Sequence, residues 1–345
     1  MRKPESGTQA AVTPIAFVCA ISQAYAHYGH PFGPALQAAH IAPQLLENSA
    51  ARVTAEQFEA LNLHAMRELD DEALGWFSRP MRWGSLGLLC RAAISAPDLG
   101  VALRRWCRCH GLIVDDIRIT LSCREGTASI TIEERAIRQG MREFCLVSTL
   151  RAVHGFACWL VDSRIPFSDL GFAFPRPDHA GSYRAMFPGE ARFDAAQTGF
   201  SFNADYLTLP PMRDEAATRA MLQNALRLMV LQYRRDRLLV ERVRMQFRAR
   251  LAANAASLPN AEELAKNLNI SRRSLHRQLQ EEGSSLQQIK DEIRRERALE
   301  LIGRSNRPLK QVAHMAGFRN EKSFSRAFRQ WTGQSPGEMR RERKA

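Results

Sequence analysis

Towards its C-terminal end the chain carries one layout twice, and this constrains its fold more than any other feature. In the first copy, Ala261 to Leu268 has the spacing of a short helix, Asn269-Ile270 turns the chain, and Ser271 opens a second helix running to Glu282. In the second, Leu309 to Ala316 is the short helix, Gly317-Phe318 the turn, and a helix from about Asn320 runs to Thr332. A small Ala265 or Ala313 lets each helix pair cross closely, and Ile270 or Phe318 fills the corner between them. The spacing predicts two helix-turn-helix units, 261–282 and 309–332. Between them Leu286, Ile289, Ile293, Ala298, Leu299 and Ile302 keep helical spacing from Ser285. That predicts a connecting helix of about 17 residues, roughly 25 Å long at 1.5 Å per residue.

The second helix of each unit has one apolar and one basic face. Leu275 and Leu279 point inward in the first, leaving Arg272, Arg273, His276, Arg277 and Gln280 outside. Phe324, Phe328 and Trp331 point inward in the second, leaving Lys322, Ser325, Arg326 and Arg329 outside. Arginine can hold guanine O6 and N7 with two bonds, and both cations can clamp phosphates. One such face is as readily a solvated surface. Two, each behind the same short helix and turn, match successive major grooves, about 34 Å apart on one side of a duplex.

Charge placement agrees. Of a net +13, residues 240–345 hold 23 Lys and Arg against 12 Asp and Glu, while residues 1–239 are near neutral with 26 against 24. A one-sided basic segment suits a polyanion, nucleic acid or an anionic membrane surface. The helix-turn-helix pattern favours nucleic acid. A length of 345 residues suits two domains, with a boundary expected near residue 240 and no Gly/Ser linker to mark it.

The first 210 residues read as a mixed α/β domain. Helices are expected over 10–29, over 54–70 with Thr54 and Gln57 as a capping box, over 86–94, and from Asp98 through Trp106. Ile117, Ile119 and Leu121 alternate, Glu125-Gly126 turns, and Ile130 and Ile132 alternate again, the pattern of a β-hairpin. A long apolar helix follows over about 143–162, then short strands at 170–174 and around Phe200 and Phe202. From Arg213 the chain is expected to be helical and charged, including Arg234-Arg235, with Leu239 to Ala252 opening the second domain.

Seven cysteines, all in the first half, form an odd set. Cys107-x-Cys109-His110 lacks a second ligand pair at zinc spacing and sits in an apolar helix, so no metal is expected and reduced thiols are. The start, Met1-Arg2-Lys3 with an apolar run to Ile21, faintly mimics a leader, but Thr13 and Pro14 interrupt it. No run of about 18 apolar residues is present, so no membrane span and a cytoplasmic location are expected. The chain has no G-x-S-x-G elbow, phosphate loop, H-E-x-x-H or dinucleotide fingerprint, and His154 and His179 stand without a paired nucleophile. No catalytic residue and no cofactor are assigned. Trp76, Phe77, Trp83, Trp106, Phe156 and Trp159 read first as core and second as the lining of a small-molecule pocket.

Residues 240–342 resemble the DNA-binding domain of the AraC/XylS family of transcription regulators. The matching motifs are Leu264-Ala265-x-x-Leu268-x-Ile270-Ser271-x-x-x-Leu275, Val312-Ala313-x-x-x-Gly317-Phe318 and Ser323-Phe324-Ser325-Arg326-x-Phe328-Arg329-x-x-x-Gly333-x-Ser335-Pro336. The resemblance implies that Arg273, His276 and Arg277 read bases in the first unit, and Glu321, Lys322, Ser325 and Arg326 in the second. Arg272 and Arg329 complete the expected DNA-binding set. Two departures stand out. Glu321 puts an acid where the family often has a neutral polar residue, to accept from cytosine N4 or merely to cap the helix. The tail Gly337-Glu338-Met339-Arg340 lacks an aromatic residue.

The first domain resembles, less sharply, the arabinose-binding-type sensor domain, through Leu86-Gly87-Leu88-Leu89-Cys90-Arg91-Ala92, Asp98-Leu99-Gly100-x-Ala102-Leu103-Arg104 and Phe172-x-Phe174-Pro175-x-Pro177. The fold class expected is therefore an α/β N-terminal domain (1–239) plus an all-α C-terminal domain (240–345) with two helix-turn-helix units joined by a long linker helix. The implied partners are double-stranded DNA, RNA polymerase, a small-molecule effector and a second copy of the chain. Activation is the implied outcome. The alternative is an effector-independent regulator whose first domain only dimerises.

Overall fold

The structure is a computed structural model that describes residues 13–187, 189–223, 225, 236–253 and 258–342. The chain divides into two compact units, 1–235 and 236–345.

In the first unit, β1 (Thr13–Pro14) pairs antiparallel with β2 (Arg52–Val53), so α1 (Ile15–Tyr28) starts at Ile15 rather than residue 10. Residues 10–12 of the expected helix lie outside the described residues. The short helix α2 (Gly33–Ala38), absent from the sequence expectation, precedes α3 (Ala55–Glu68). There Thr54 and Gln57 form the expected capping box, each side chain bonding the other's backbone N–H. α4 (Ser85–Ile94) and α5 (Leu99–Ile113) follow, the latter capped by Asp98, which accepts from the Val101 N–H.

The hairpin forms as its alternation requires. β3 (Ile117–Arg124) and β4 (Thr127–Glu134) pair Ile119 with Ile132 and Leu121 with Ile130 across Glu125 and Gly126, both at positive φ. β5 (Asp169–Gly171) and β6 (Thr198–Asn203) complete an antiparallel sheet of order β3-β4-β6-β5. Ile117, Ile119, Ile130, Ile132, Phe200 and Phe202 are buried, the period-two face of a half-covered sheet. The expected strand over 170–174 is shorter than its apolar run. After Gly171 the Phe172 N–H bonds the Arg192 carbonyl and the Ala173 N–H bonds Thr198 Oγ1, so the backbone leaves the ladder. Phe172 and Phe174 are buried all the same, among Tyr183, Phe187 and Phe193.

α6 (Arg142–Leu160) is buried on every side, as an apolar helix without a polar stripe must be. α7 (Tyr183–Met186) buries Tyr183 and Met186, and α8 (Glu215–Leu222) buries Thr218 and Met221. Of the charged helix expected beyond Arg213, residues 226–235, with Arg234 and Arg235, lie outside the described residues.

The second unit is helical throughout: α9 (Leu238–Ala252), α10 (Ala261–Asn267), α11 (Arg272–Glu281), α12 (Leu286–Arg304), α13 (Leu309–Met315), α14 (Glu321–Thr332) and α15 (Pro336–Glu342). It has two small cores. One gathers Val243, Phe247 and Leu251 of α9, Leu264, Leu275 and Leu279. The other gathers Val312, Ala313, Phe318, Phe324 and Phe328. α12 belongs to both: Leu286, Ile289 and Ile293 enter the first, Ala298, Leu301 and Ile302 the second.

Polar ties fix α9 on this frame. The buried Glu282 carboxylate accepts from the Leu239 and Val240 N–H groups at 3.0 and 2.7 Å. Arg244 pairs with Glu292, and Arg248 meets Glu296 at 3.1 Å.

Candidate functional site

Each helix-turn-helix unit builds its reading helix by the same means. In the first, Asn260 and Glu263 form a capping box at the start of α10, and the chain turns at Asn269, φ 54°. Asparagine tolerates this left-handed conformation better than most residues. Ile270 packs on the core, and Ser271 Oγ accepts from the Ser274 N–H at 3.0 Å, starting α11. Leu275 and Leu279 are fully buried, which fixes the roll of the helix. Arg272, Arg273, His276, Arg277 and Gln280 are all exposed.

In the second unit the equivalent turn is Gly317, φ 79°. Its carbonyl accepts from Arg294 Nη2 at 3.0 Å, and the same guanidinium lies 5.0 Å from the Phe318 ring centroid. An arginine in the middle of α12 thus holds the second turn. Asn320 accepts from the Ser323 N–H at 2.8 Å and is the cap of α14. Capping is therefore not the role of Glu321, which sits exposed at the first helical position. Phe324 and Phe328 are fully buried and Trp331 is half-buried against Phe318. Glu321, Lys322, Arg326 and Arg329 are exposed, and Ser325 is partly so.

The Gly333-x-Ser335-Pro336 end of the motif is also explained. Gly333, φ 78°, closes α14, and Ser335 exchanges bonds with Glu338 to start α15. Met339 packs against the second core, in the tail where the aromatic residue is missing.

Among the described residues, Arg272, Arg273, Lys322 and Arg326 make no ion pair. Arg277 meets Glu281 at 2.8 Å and Arg329 meets Glu338 at 3.8 Å, both pairs well exposed. Exposed pairs of this kind contribute about 0–1 kcal/mol, so either arginine is readily given up to a phosphate or base edge. Two rigidly rolled helices thus each show a cationic, hydrogen-bonding face to solvent.

The first unit encloses a cavity of about 270 Å³. Trp76, Trp83 and Trp106 of the expected aromatic set line it; Phe77, Phe156 and Trp159 do not. Four of its lining side chains carry a buried nitrogen with no hydrogen-bond partner among the described residues: Trp76 Nε1, Trp106 Nε1, His110 Nδ1 and Arg151 Nε. Burial lowers the His110 pKa to about 4, so its ring is neutral at pH 7, and it stacks on Trp106. Sequence reasoning missed Arg151. Its signal was a lone full charge in the otherwise apolar run from Phe144 to Leu160.

His154 and His179 are held by neighbours within the fold, and Cys158 Sγ lies 3.4 Å from His154 Nε2. His154 bonds the Ile165 carbonyl at 2.8 Å, and His179 bonds Glu143 at 2.6 Å. No helix among the described residues is long and apolar enough to cross a membrane.

Comparison with known proteins adds the following. The family described as the arabinose-binding domain of AraC transcription regulator, N-terminal, matches residues 29–211. A helix-turn-helix domain family matches residues 264–342. The chain is 27% identical over 341 residues, 99% of each protein, to an ornithine utilization regulator of Pseudomonas aeruginosa. It is 39% identical over 82 residues to the HTH-type transcriptional regulator VqsM of the same organism, 24% of this chain and 25% of that one. The crystal structure of the transcriptional regulator CdpR from Pseudomonas aeruginosa aligns with 97% of this chain and 100% of its own, at 20% identity and a TM-score of 0.34.

Proposed function

The chain belongs to the AraC family of transcription regulators, and from that premise we propose that it activates transcription in response to a small molecule held by its first domain. Its activity is DNA binding and regulation rather than catalysis. In this reading residues 240–345 bind the operator, and residues 1–239 sense the effector and join a second copy. The work is done in the cytoplasm, alongside RNA polymerase.

One observation carries the DNA-reading assignment. Two reading helices, rolled by buried leucines and phenylalanines, turn unpaired cations outward from cores that share α12. Arg273, His276 and Arg277 address base edges in one groove, and Glu321, Lys322, Ser325 and Arg326 in the next. Glu321, freed from capping, accepts from cytosine N4. Arg272 and Arg329, near the ends of their helices, clamp phosphates.

The effector reading is supported by a largely apolar cavity with a few polar groups in the first domain, the usual make-up of a ligand site. A relative named for ornithine utilization supports a catabolite of about that size. Footprinting the full chain on the DNA beside its own gene, with and without candidate catabolites, tests both parts. Protection of two sub-sites one helical turn apart, altered by one catabolite, is the expected result. Protection that no catabolite alters, with the first domain still dimeric, would favour an effector-independent regulator.

A further inference from the structure

The cavity of the first unit has a chemistry of its own. Arg151 projects from α6, is nine-tenths buried, and makes no hydrogen bond or ion pair among the described residues. Trp76, Trp106 and His110 line the same space, each with a buried side-chain nitrogen that has no hydrogen-bond partner among the described residues. They come from three separate places: Trp76 from the loop after α3, Trp106 and His110 from α5, and Arg151 from α6. Buried polar groups are almost always satisfied, and an unpaired buried guanidinium is among the costliest exceptions. A guanidinium without a partner, on the wall of a cavity, marks a place where an anion belongs.

The structure assigns this cavity to a small carboxylic acid, its carboxylate held by Arg151 on a wall that also carries Trp76, Trp106 and His110. The assignment rests on reading the first unit as an effector sensor. Guanidinium offers planar paired donors that match a carboxylate. Phe58, Leu63, Met66, Met81, Leu86 and Leu222 supply apolar wall, beside the polar Asn62, Ser148, Thr149 and Gln223 and beside Arg91, which meets Glu215 at 2.9 Å. A cavity of about 270 Å³ has room for a small organic molecule. Glu72 also lines it, but its carboxylate accepts from the Gly84 and Leu86 N–H groups. Glu59 is on the wall as well, so acids with and without an ammonium group are both to be tried.

The test is calorimetric titration of the full chain with hexanoate, phenylacetate, 5-aminovalerate and L-ornithine, each against its own primary amide. At least one acid is expected to bind about tenfold or more tightly than its amide, the usual gain from a charge-assisted pair. That preference should vanish in Arg151→Met and partly return in Arg151→Lys. Arg151→Met should melt no lower than the parent, because it removes an unpaired buried charge. Should that variant aggregate, Arg151→Gln serves instead, with the same loss of preference for acid over amide expected.

Equal affinity for acid and amide, an acid preference that survives Arg151→Met, or no heat from any acid would each overturn the assignment. If a neutral catabolite still alters operator binding, the carboxylate falls and the sensor stands. If an acid binds through Arg151 and operator binding does not change, the cavity stands and the sensor falls.

Discussion

At the scale of single residues, the reading helices make different demands on neighbouring positions. Arg326 is exposed and unpaired, whereas Arg277 leans on Glu281. Replacing either by alanine is expected to weaken operator binding by about 1–3 kcal/mol if it reads a base, with little change in the affinity for random duplex. Competition gel-shift assays measure both quantities, and unchanged operator affinity in both variants would remove these residues from the reading set. Gly317→Val acts on the fold instead. Its φ of 79° is hostile to a β-branched residue, and a Cβ there would sit 3.1 Å from Leu251 Cδ2. A loss of about 2 kcal/mol or more is expected, read as a lower melting temperature in helical circular dichroism. Arg273 and Arg326 were legible in the sequence because helical periodicity puts them opposite Leu275 and Phe324. Arg151 was not, because a charge in an apolar run acquires meaning only when Trp76, Trp106 and His110 from distant segments surround the same space.

Elements were legible where the local code is strong and missed where tertiary pairing decides. The capping residues Thr54, Asp98, Ser271 and Ser285 mark helix starts in the sequence as they do in the structure. The 3-residue β5 was overestimated because Phe172 and Phe174 are buried by aromatic packing, not by strand pairing. β1 and β2 give no sequence signal, being 2-residue pairs whose existence depends on distant chain meeting distant chain. The spacing predicts a connecting helix of about 17 residues, and the helix measures 19. Because its two ends lie in different cores, inserting one alanine after Arg295 turns one end against the other by roughly 100°. Leu301 and Ile302 stay with the second core and Ile289 with the first, so the reading helices lose their common face. Affinity for a two-part operator should fall at least about tenfold, towards that of a single half-site. An operator affinity unchanged by the insertion would show that the helix does not set the spacing.

For the whole molecule, pH is the accessible variable. Burial lowers the pKa of both His110 and His154 to about 4, below the ordinary histidine value of 6.5. The unfolded chain therefore takes up protons first as the pH falls. The stability these neutral rings permit is complete above about pH 6.5 and declines towards pH 4, by on the order of 2–3 kcal/mol for each ring. Four of the five tryptophans lie in the first unit, so fluorescence-monitored urea unfolding reports mainly on it. The midpoint should be clearly lower at about pH 5 than at about pH 7.5, and a His110→Gln, His154→Gln double variant should narrow the gap. Equal midpoints for the parent chain would mean that one or both rings are protonated in the fold.

The helix shared by the two cores also bears on the promoters such a protein can serve. A rod with both ends embedded is a ruler, and a ruler cannot stretch to meet its target. Letters within either sub-site can drift, each at a modest cost. The interval cannot, since one extra base pair swings a sub-site about 35° around the duplex axis. Regulatory regions that come under this regulator should therefore vary in spelling long before they vary in phase.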